Sequence, residues 1–439
     1  MLEKMFAAWS RTLERLFPHP FTLALLLTVV TFAVALLFTP HSATELIGFW
    51  GSGMWDLLDF AMQMALILVT GQALAEAPPV ARALRTLSSA PRGMTGGVAL
   101  VSLSAMVAAW LNWGFGLIVG AILARLVADD LASRIGEDKV SRGLLGAAGY
   151  TGLAFWHGGV SGSAPLAVAG PGHQMEDLIG VVPMQETVFS GRNLVLSLAL
   201  LVLIPAFLMM ISHFKLAPTG QDVAERLPPP EEQGGSILEK VLVLLLVVAA
   251  LYWWFGLRVG LGLNTVIFAF LFLGLAAHGA ATPYAQALDR ATSGISGIVL
   301  QFPFYFGIVG LAAKSGLVGL VSDQFVRASA GIESATGFQP FLIFVFLSAG
   351  LCNLFVPSGG GQWVIQGPIV LTAANQLNVD PSSTILAVAY GDQWTNLLQP
   401  FWALPLLSIT GLKPAQLLSM TTLLLVWEGL IVMLALCFF

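Results

Sequence analysis

Val356-Pro357-Ser358-Gly359-Gly360-Gly361-Gln362, followed by Gly391-Asp392-Gln393-Trp394-Thr395-Asn396-Leu397-Leu398-Gln399-Pro400, is a polar, helix-breaking stretch inside apolar sequence. A rough counterpart stands in the first half of the chain. It reads Asn112-Trp113-Gly114-Phe115-Gly116, then Phe155-Trp156-His157-Gly158-Gly159-Val160-Ser161-Gly162-Ser163. Interrupted backbone at bilayer depth is tolerated only where protein or a water-filled cavity satisfies its N–H and C=O groups. Paired interruptions at corresponding positions of two halves mark the central site of a secondary transporter.

Composition points the same way. The 439 residues are 57% hydrophobic and 10% charged, which excludes an ordinary soluble domain. Apolar runs such as 21–38 and 194–211 have the length a helix needs to cross the hydrocarbon core. A β-barrel would show alternating segments of about ten residues instead. The net charge of -5 is spread over loops and suggests no nucleic-acid partner. Cys352 and Cys437 make neither a disulfide framework nor a metal cluster, so no metal or organic cofactor is expected. Residues 1–19 place Met5, Phe6, Trp9, Leu13 and Leu16 on one helical face and read as an amphipathic helix on the inner leaflet.

Orientation follows from Lys and Arg in short loops. Segment 80–93 carries Arg82, Arg85 and Arg92, and 125–142 carries Arg125, Arg134, Lys139 and Arg142, so both are expected in the cytoplasm. Segments 40–57 and 170–191 carry neither Lys nor Arg and are expected outside. Residues 94–124 then enter and leave on one face. The ten residues from Gly114 to Arg125, about 15 Å of helix, fall short of a core of about 30 Å. The expectation is a re-entrant hairpin with its tip at Asn112 to Gly116, repeated in inverted sense over 340–374, where Pro368 interrupts the second arm.

The fold class expected is thus an all-α polytopic membrane protein of two inverted repeats, each with a re-entrant hairpin and a discontinuous transmembrane helix. Nine full spans are placed at about 20–39, 58–78, 143–169, 192–214, 239–256, 261–279, 296–318, 384–409 and 415–437. The interfacial helix 1–19 precedes a first repeat, 20–214, whose hairpin 94–124 opens to the cytoplasm. A cytoplasmic linker, 215–238, contains Pro228-Pro229-Pro230. The second repeat, 239–439, has an outside-opening hairpin. The N-terminus is expected in the cytoplasm and the C-terminus outside.

At Asn112-Trp113-Gly114, at the run from Val356 through Trp363 to Gln366-Gly367-Pro368, and at Asp392-Gln393-Trp394-Thr395-Asn396, the chain resembles the bacterial short-chain fatty acid transporters, the AtoE-type permeases. The resemblance covers essentially the whole length. It implies a carrier of butyrate- or acetoacetate-like monocarboxylates in the bacterial inner membrane, a homodimer, and elevator-type movement coupled to a proton or sodium ion. Sister families of that ion transporter superfamily place Ser-Asn-Thr triplets at their hairpin tips. Here the first tip has Asn112 without Ser or Thr beside it, and the second has Ser358 with glycines, a departure that bears on sodium coupling more than on carboxylate binding.

A carboxylate needs donors and positive potential, which helix N-termini supply. Gly114, Gly359, Gly360 and Gly361 let backbone approach an anion; tight helix packing or a plain loop is the other reading of the glycine run. Asn112, Ser358 and Gln362 add side-chain donors, and Asn112 and Ser358 read equally as caps of the hairpin tips. Ser161, Ser163, Thr395 and Asn396, with Gln393 and Gln399, suit an anion or a dehydrated cation, or serve as polar glue between helices. Trp113, with Trp156, Trp363 and Trp394, walls an apolar slot for an alkyl tail. Asp392 is the acidic residue well inside the discontinuous spans, and its partner is a proton, a cation or His157 from the opposite repeat; a buried network with neighbouring donors is the other reading. His157 reads as a proton carrier or a satisfied interhelical hydrogen bonder.

Competing classes are weaker. Gly159-Val160-Ser161-Gly162 matches the Gly-x-Ser-Gly pattern of rhomboid-type intramembrane proteases, but a serine nucleophile needs a histidine base on another helix, and no such histidine is well placed. A channel would need a filter sequence or charged rings. A non-enzymatic carrier is expected, with C4-dicarboxylates or other organic anions as the rival substrate class. Lys314 is expected to snorkel, and Glu428 to face the bundle or a dimer contact.

Overall fold

The computed structural model describes residues 20–214, 236–256, 263–292, 295–336 and 339–439. The amphipathic helix expected over 1–19 and most of the linker expected over 215–238 lie outside the described residues. Within them the chain is all-helical, with no strand. Six helices are long and apolar enough to cross a membrane, and a bent pair adds a seventh. It is a multi-pass membrane protein.

Local chemistry sets the helix ends. Ser190 opens Gly191–Ile211 by accepting from the Asn193 N–H, and Ser236 opens Ile237–Leu251 by accepting from that of Glu239. Gly411, at φ 69, closes Pro400–Thr410 in the left-handed conformation glycine adopts without strain. Apolar side chains point outward along Pro20–Phe38, Gly191–Ile211 and Ile237–Leu251, where Val29, Leu37, Val195 and Leu244 are exposed. Polar ones, among them His157, Asp392, Gln393 and Glu428, are buried. This distribution suits lipid outside and a polar centre within.

Two helical hairpins and two broken helices make the centre. The first hairpin joins Met94–Leu111 to Trp113–Ile135 through Asn112 alone. Its arms are so close that a Cβ on Gly116 would strike Ala109. The second joins Phe341–Asn353 to Gly359–Gln376 and is pinned across its arms by Gln362 Nε2 on the Ala349 carbonyl and Gln366 Nε2 on Ser348 Oγ, both 2.9 Å. Each hairpin packs on the broken helix that follows it. The first broken helix runs Arg142–Tyr150, short 3-10 turns through Gly158, then Ser163–Val168. The second runs Pro381–Asn396, a turn, then Pro400–Thr410. Gly191–Ile211 and Pro414–Leu436 brace this centre, while Pro20–Phe38, Leu58–Glu76, Leu263–His278 and Ser296–Lys314 pack among themselves at its side.

Several expectations change. The second arm of the first hairpin does not stop near Arg125; it continues for 23 residues to Ile135, about 35 Å, so shortness no longer argues for re-entry. Arg125 permits this because it is buried and donates to the Ile409 carbonyl at 2.9 Å, so its charge is met inside the protein. Pro368 leaves Gly359–Gln376 continuous. The stretch expected as an outside loop over 40–57 contains the helix Ala43–Gly53, opened by a Ser42–Glu45 capping box. The span expected to end at 318 gives way to a further helix, Leu317–Thr336, bent from its predecessor by 57°. Lys314, at the end of its helix, pairs with Asp56 Oδ2 at 2.7 Å and with Ser52 Oγ at 2.9 Å.

Candidate functional site

Both hairpin tips arrive at the same unwound segment, the turn from Trp156 to Ser163 in the first broken helix. At the first tip, Asn112 Oδ1 accepts from the Phe115 N–H at 3.1 Å, and the Trp113 N–H donates to Ser161 Oγ at 3.3 Å. Gly114 is buried in the first turn behind it. At the second tip, Ser358 Oγ accepts from the Gly361 N–H at 3.3 Å. Asn112 and Ser358 are therefore N-caps, and their oxygens are already engaged. The first four N–H groups of a helix have no partner within it; Ser358 takes that of Gly361, and those of Gly359 and Gly360 remain at the helix end.

Gly359 lies against the first half. A Cβ there would stand 2.7 Å from both His157 Cε1 and Ser163 Oγ, so only glycine allows the approach, whereas Gly360 has open space. Across this junction His157 Nε2 meets Asp392 Oδ1 at 2.9 Å, with both side chains buried. The backbone strengthens the pairing: the His157 N–H donates to Gln393 Oε1 at 3.1 Å, and Gln393 Nε2 donates to the Ala154 carbonyl and to Glu428 Oε1, each at 2.9 Å. Tyr390 OH donates to Asn193 Oδ1 at 2.6 Å, and Asn193 Nδ2 donates to the Gly158 carbonyl at 2.9 Å, fixing the turn from its other side. His157 Nδ1 and Asp392 Oδ2 are buried without a hydrogen-bond partner.

The other expected residues divide. Thr395 and Asn396 gather around Asn353, whose Nδ2 donates to Thr395 Oγ1 at 3.0 Å and to Asn396 Oδ1 and the Asp392 carbonyl at 2.8 Å. Gln399 Nε2 donates to the Asn353 carbonyl at 2.6 Å, and Tyr150 OH to the carbonyls of Asn396 and Gln399. These bonds hold the second break open. Gln362 uses its Nε2 within its own hairpin, on Ala349 and Gln366, while its Oε1 is buried without a hydrogen-bond partner. Of the four tryptophans, Trp113 and Trp156 come together at 6.0 Å and are joined by Trp402, 5.0 Å from Trp113, and by Phe60. Trp394 instead packs on Phe346 and donates to the Leu425 carbonyl.

Sequence reasoning missed Asn353, Tyr150, Asn193 and Trp402. Asn353 was visible as the polar end of an otherwise apolar run; Trp402 had no local signal. Among the described residues, no group of three or more His, Cys, Asp or Glu side chains could hold a metal ion.

The model of the short-chain fatty acid transporter family matches residues 1–439. The chain belongs to the short-chain fatty acid transporter family. A relative from Escherichia coli strain K12, named for short-chain fatty acid transport, is 38% identical over 453 residues and is covered, like this chain, to 100%. One of the same name from Haemophilus influenzae is 35% identical over 433 residues, with 94% of each chain covered. Two solved transporters are similar at 16% identity. They are YdaH of Alcanivorax borkumensis, described as having an unusual topology (TM-score 0.39; 96% of this chain and 97% of that one), and MtrF of Neisseria gonorrhoeae, described with a class of antimetabolite efflux pumps (TM-score 0.38; 98% and 97%). Family membership places the chain among transporters.

Proposed function

We propose that this member of the family is a secondary active transporter that carries short-chain fatty acids across the bacterial inner membrane by alternating access. One observation carries the reading: the glycine tip of the second hairpin abuts the buried His157–Asp392 pair of two broken helices, one from each half. The free N–H groups of Gly359 and Gly360, at the positive end of a helix of 18 residues, suit one carboxylate. Trp113, Trp156 and Trp402 offer an apolar face for a short alkyl tail. Asp392 and His157 are the groups we assign to ion coupling, with a proton or sodium ion as the coupling species, since an ion drives transport only by binding one state of the cycle differently from another. Ser161 Oγ accepts from the Trp113 N–H and His157 Nε2 faces Asp392, an arrangement that favours a carrier over a serine hydrolase.

The proposal includes two inverted repeats, 20–214 and 239–439, opposed re-entrant hairpins, a cytoplasmic N-terminus, an outside C-terminus, a homodimer and elevator-type movement. Arg125 is buried, so the topology is tested at exposed positions: cysteines replacing Arg92 and Asp138 are expected to label from the cytoplasm alone. Labelling from opposite faces would overturn re-entry. For the substrate, labelled butyrate uptake into proteoliposomes under imposed proton or sodium gradients is the test, with acetoacetate, succinate and citrate as competitors. Competition by acetoacetate but not succinate is expected; strong competition by succinate moves the assignment to dicarboxylates.

A further inference from the structure

Glu428 stands in the middle of the closing helix Pro414–Leu436, fully buried. Its Oε1 accepts from Gln393 Nε2 at 2.9 Å, and its Oε2 is buried without a partner. The elements packed on that helix bring few other titratable groups. Pro381–Asn396 brings Tyr390 and Asp392, Arg142–Tyr150 brings Tyr150 and Arg142, Gly191–Ile211 brings Arg192, and Phe341–Asn353 brings Cys352; Pro400–Thr410 brings none. Both arginines are engaged elsewhere, Arg142 by Asp129 and Glu137 and Arg192 by Asp380. A buried carboxylate with a single amide donor is left short of compensation, and taking up a proton removes the charge that makes this costly.

The connection to the ion site runs through one amide. Gln393 is the neighbour of Asp392, and its Oε1 accepts from the N–H of His157 while its Nε2 donates to Glu428. We propose that Glu428 is a second proton-binding carboxyl of the transport cycle, coupled to the His157–Asp392 pair through the Gln393 amide. Glu428 takes a proton on its free oxygen from one side of the membrane and releases it to the other. Losing that proton changes the charge that Gln393 feels and thereby the orientation of the His157 turn. The proposal rests on the carboxylate-transport reading and adds to it a proton-carrying residue outside the hairpin tips.

The test uses full-length protein in proteoliposomes with an entrapped pH dye and labelled butyrate. Glu428→Gln keeps an acceptor for Gln393 but cannot ionise. It is expected to lower proton-driven accumulation at least tenfold and to reduce protons taken up per butyrate, while butyrate–butyrate exchange stays within threefold of wild type. Glu428→Asp is expected to restore accumulation with a displaced pH midpoint. Wild-type accumulation in Glu428→Gln, or loss of exchange together with accumulation, overturns the proposal by making Glu428 dispensable or merely structural. Should Glu428→Gln fail to elute as a monodisperse species, Glu428→Asp decides, and an unchanged pH profile overturns. Wild-type uptake driven by sodium and indifferent to protons overturns the Glu428 proposal alone. Absence of any carboxylate transport overturns the underlying reading as well.

Discussion

The two hairpin tips do the same geometric job with different chemistry. The first turns on one residue, Asn112, and places Trp113 at once into a cluster with Trp156, Trp402 and Phe60. The second takes a longer turn from Leu354 to Ser358 and presents bare glycine backbone to His157 and Ser163. In the function proposed above, the two halves divide the work of binding, with one tip supplying an apolar wall and the other supplying donors beside the ionisable pair. Capping is common to both tips, so it belongs to the architecture, whereas the glycine run and the tryptophans carry what distinguishes them.

The largest expected effect lies where the second tip meets charge. Asp392→Asn should abolish gradient-driven accumulation while preserving exchange, because an amide neither takes up a proton nor binds a cation comparably. Undiminished accumulation would reduce Asp392 to a structural group and erase the division of labour. Next comes the glycine run itself. Gly359→Ala, whose Cβ would stand 2.7 Å from His157 Cε1 and Ser163 Oγ, should cut uptake at least tenfold, and Gly360→Ala, with open space around it, should stay within twofold. Equal effects of the two would mean that backbone flexibility, not close approach, is what the tip needs.

Smaller effects should follow at the caps. Asn112→Ala and Ser358→Ala each remove one N-cap, which costs about 0.5–2 kcal/mol of stability, read as a lowered midpoint of thermal unfolding in detergent. If the tips are divided as described, Ser358→Ala should lose uptake severalfold and Asn112→Ala less. The reverse order would assign the anion to the first tip. The smallest effect is expected at Asp380, which caps the N-terminus of the second broken helix. Burial acts to raise its pKa, but bonds from Ser382, Ser383 and Arg192 outweigh it and bring the group from 3.8 to about 2. A carboxylate held below its ordinary value adds stability above about pH 4, and that stability is lost as pH falls through about 2. Asp380→Asn should accordingly unfold earlier than wild type at pH 7, with the gap closing between about pH 4 and pH 2. A gap that persists at pH 2 would mean that the cap works without charge.

Much of this was legible in the sequence. The two polar clusters, the hairpins at Asn112 and Ser358, the breaks after them and the burial of Asp392 and His157 all follow from where glycine and polar residues interrupt apolar runs. Length was read less well, because Arg125 looks like the edge of a membrane segment until its partner, the Ile409 carbonyl, is known; that partner is 284 positions away. Comparable separations hide the joining of Trp113 to Trp402 and of Tyr150 to Asn396. Local pattern shows that a polar group must be satisfied. It does not show by whom.

Among the bonds that cross between the halves at this centre are Arg125 to Ile409, Tyr150 to Asn396 and Gln399, Gln393 to Ala154, His157 to Asp392 and Gln393, Tyr390 to Asn193 and Arg192 to Asp380. Together they rivet the hairpins and broken helices into one solid piece of machinery. In the elevator movement proposed above, the hairpins and broken helices of both halves would travel as one body, and the sliding seam would lie against Leu58–Glu76 and Ser296–Lys314. That seam is faced by the flat rings of Phe60, Phe302 and Phe401, which stack within 6.4 Å of one another and carry no hydrogen bonds to break.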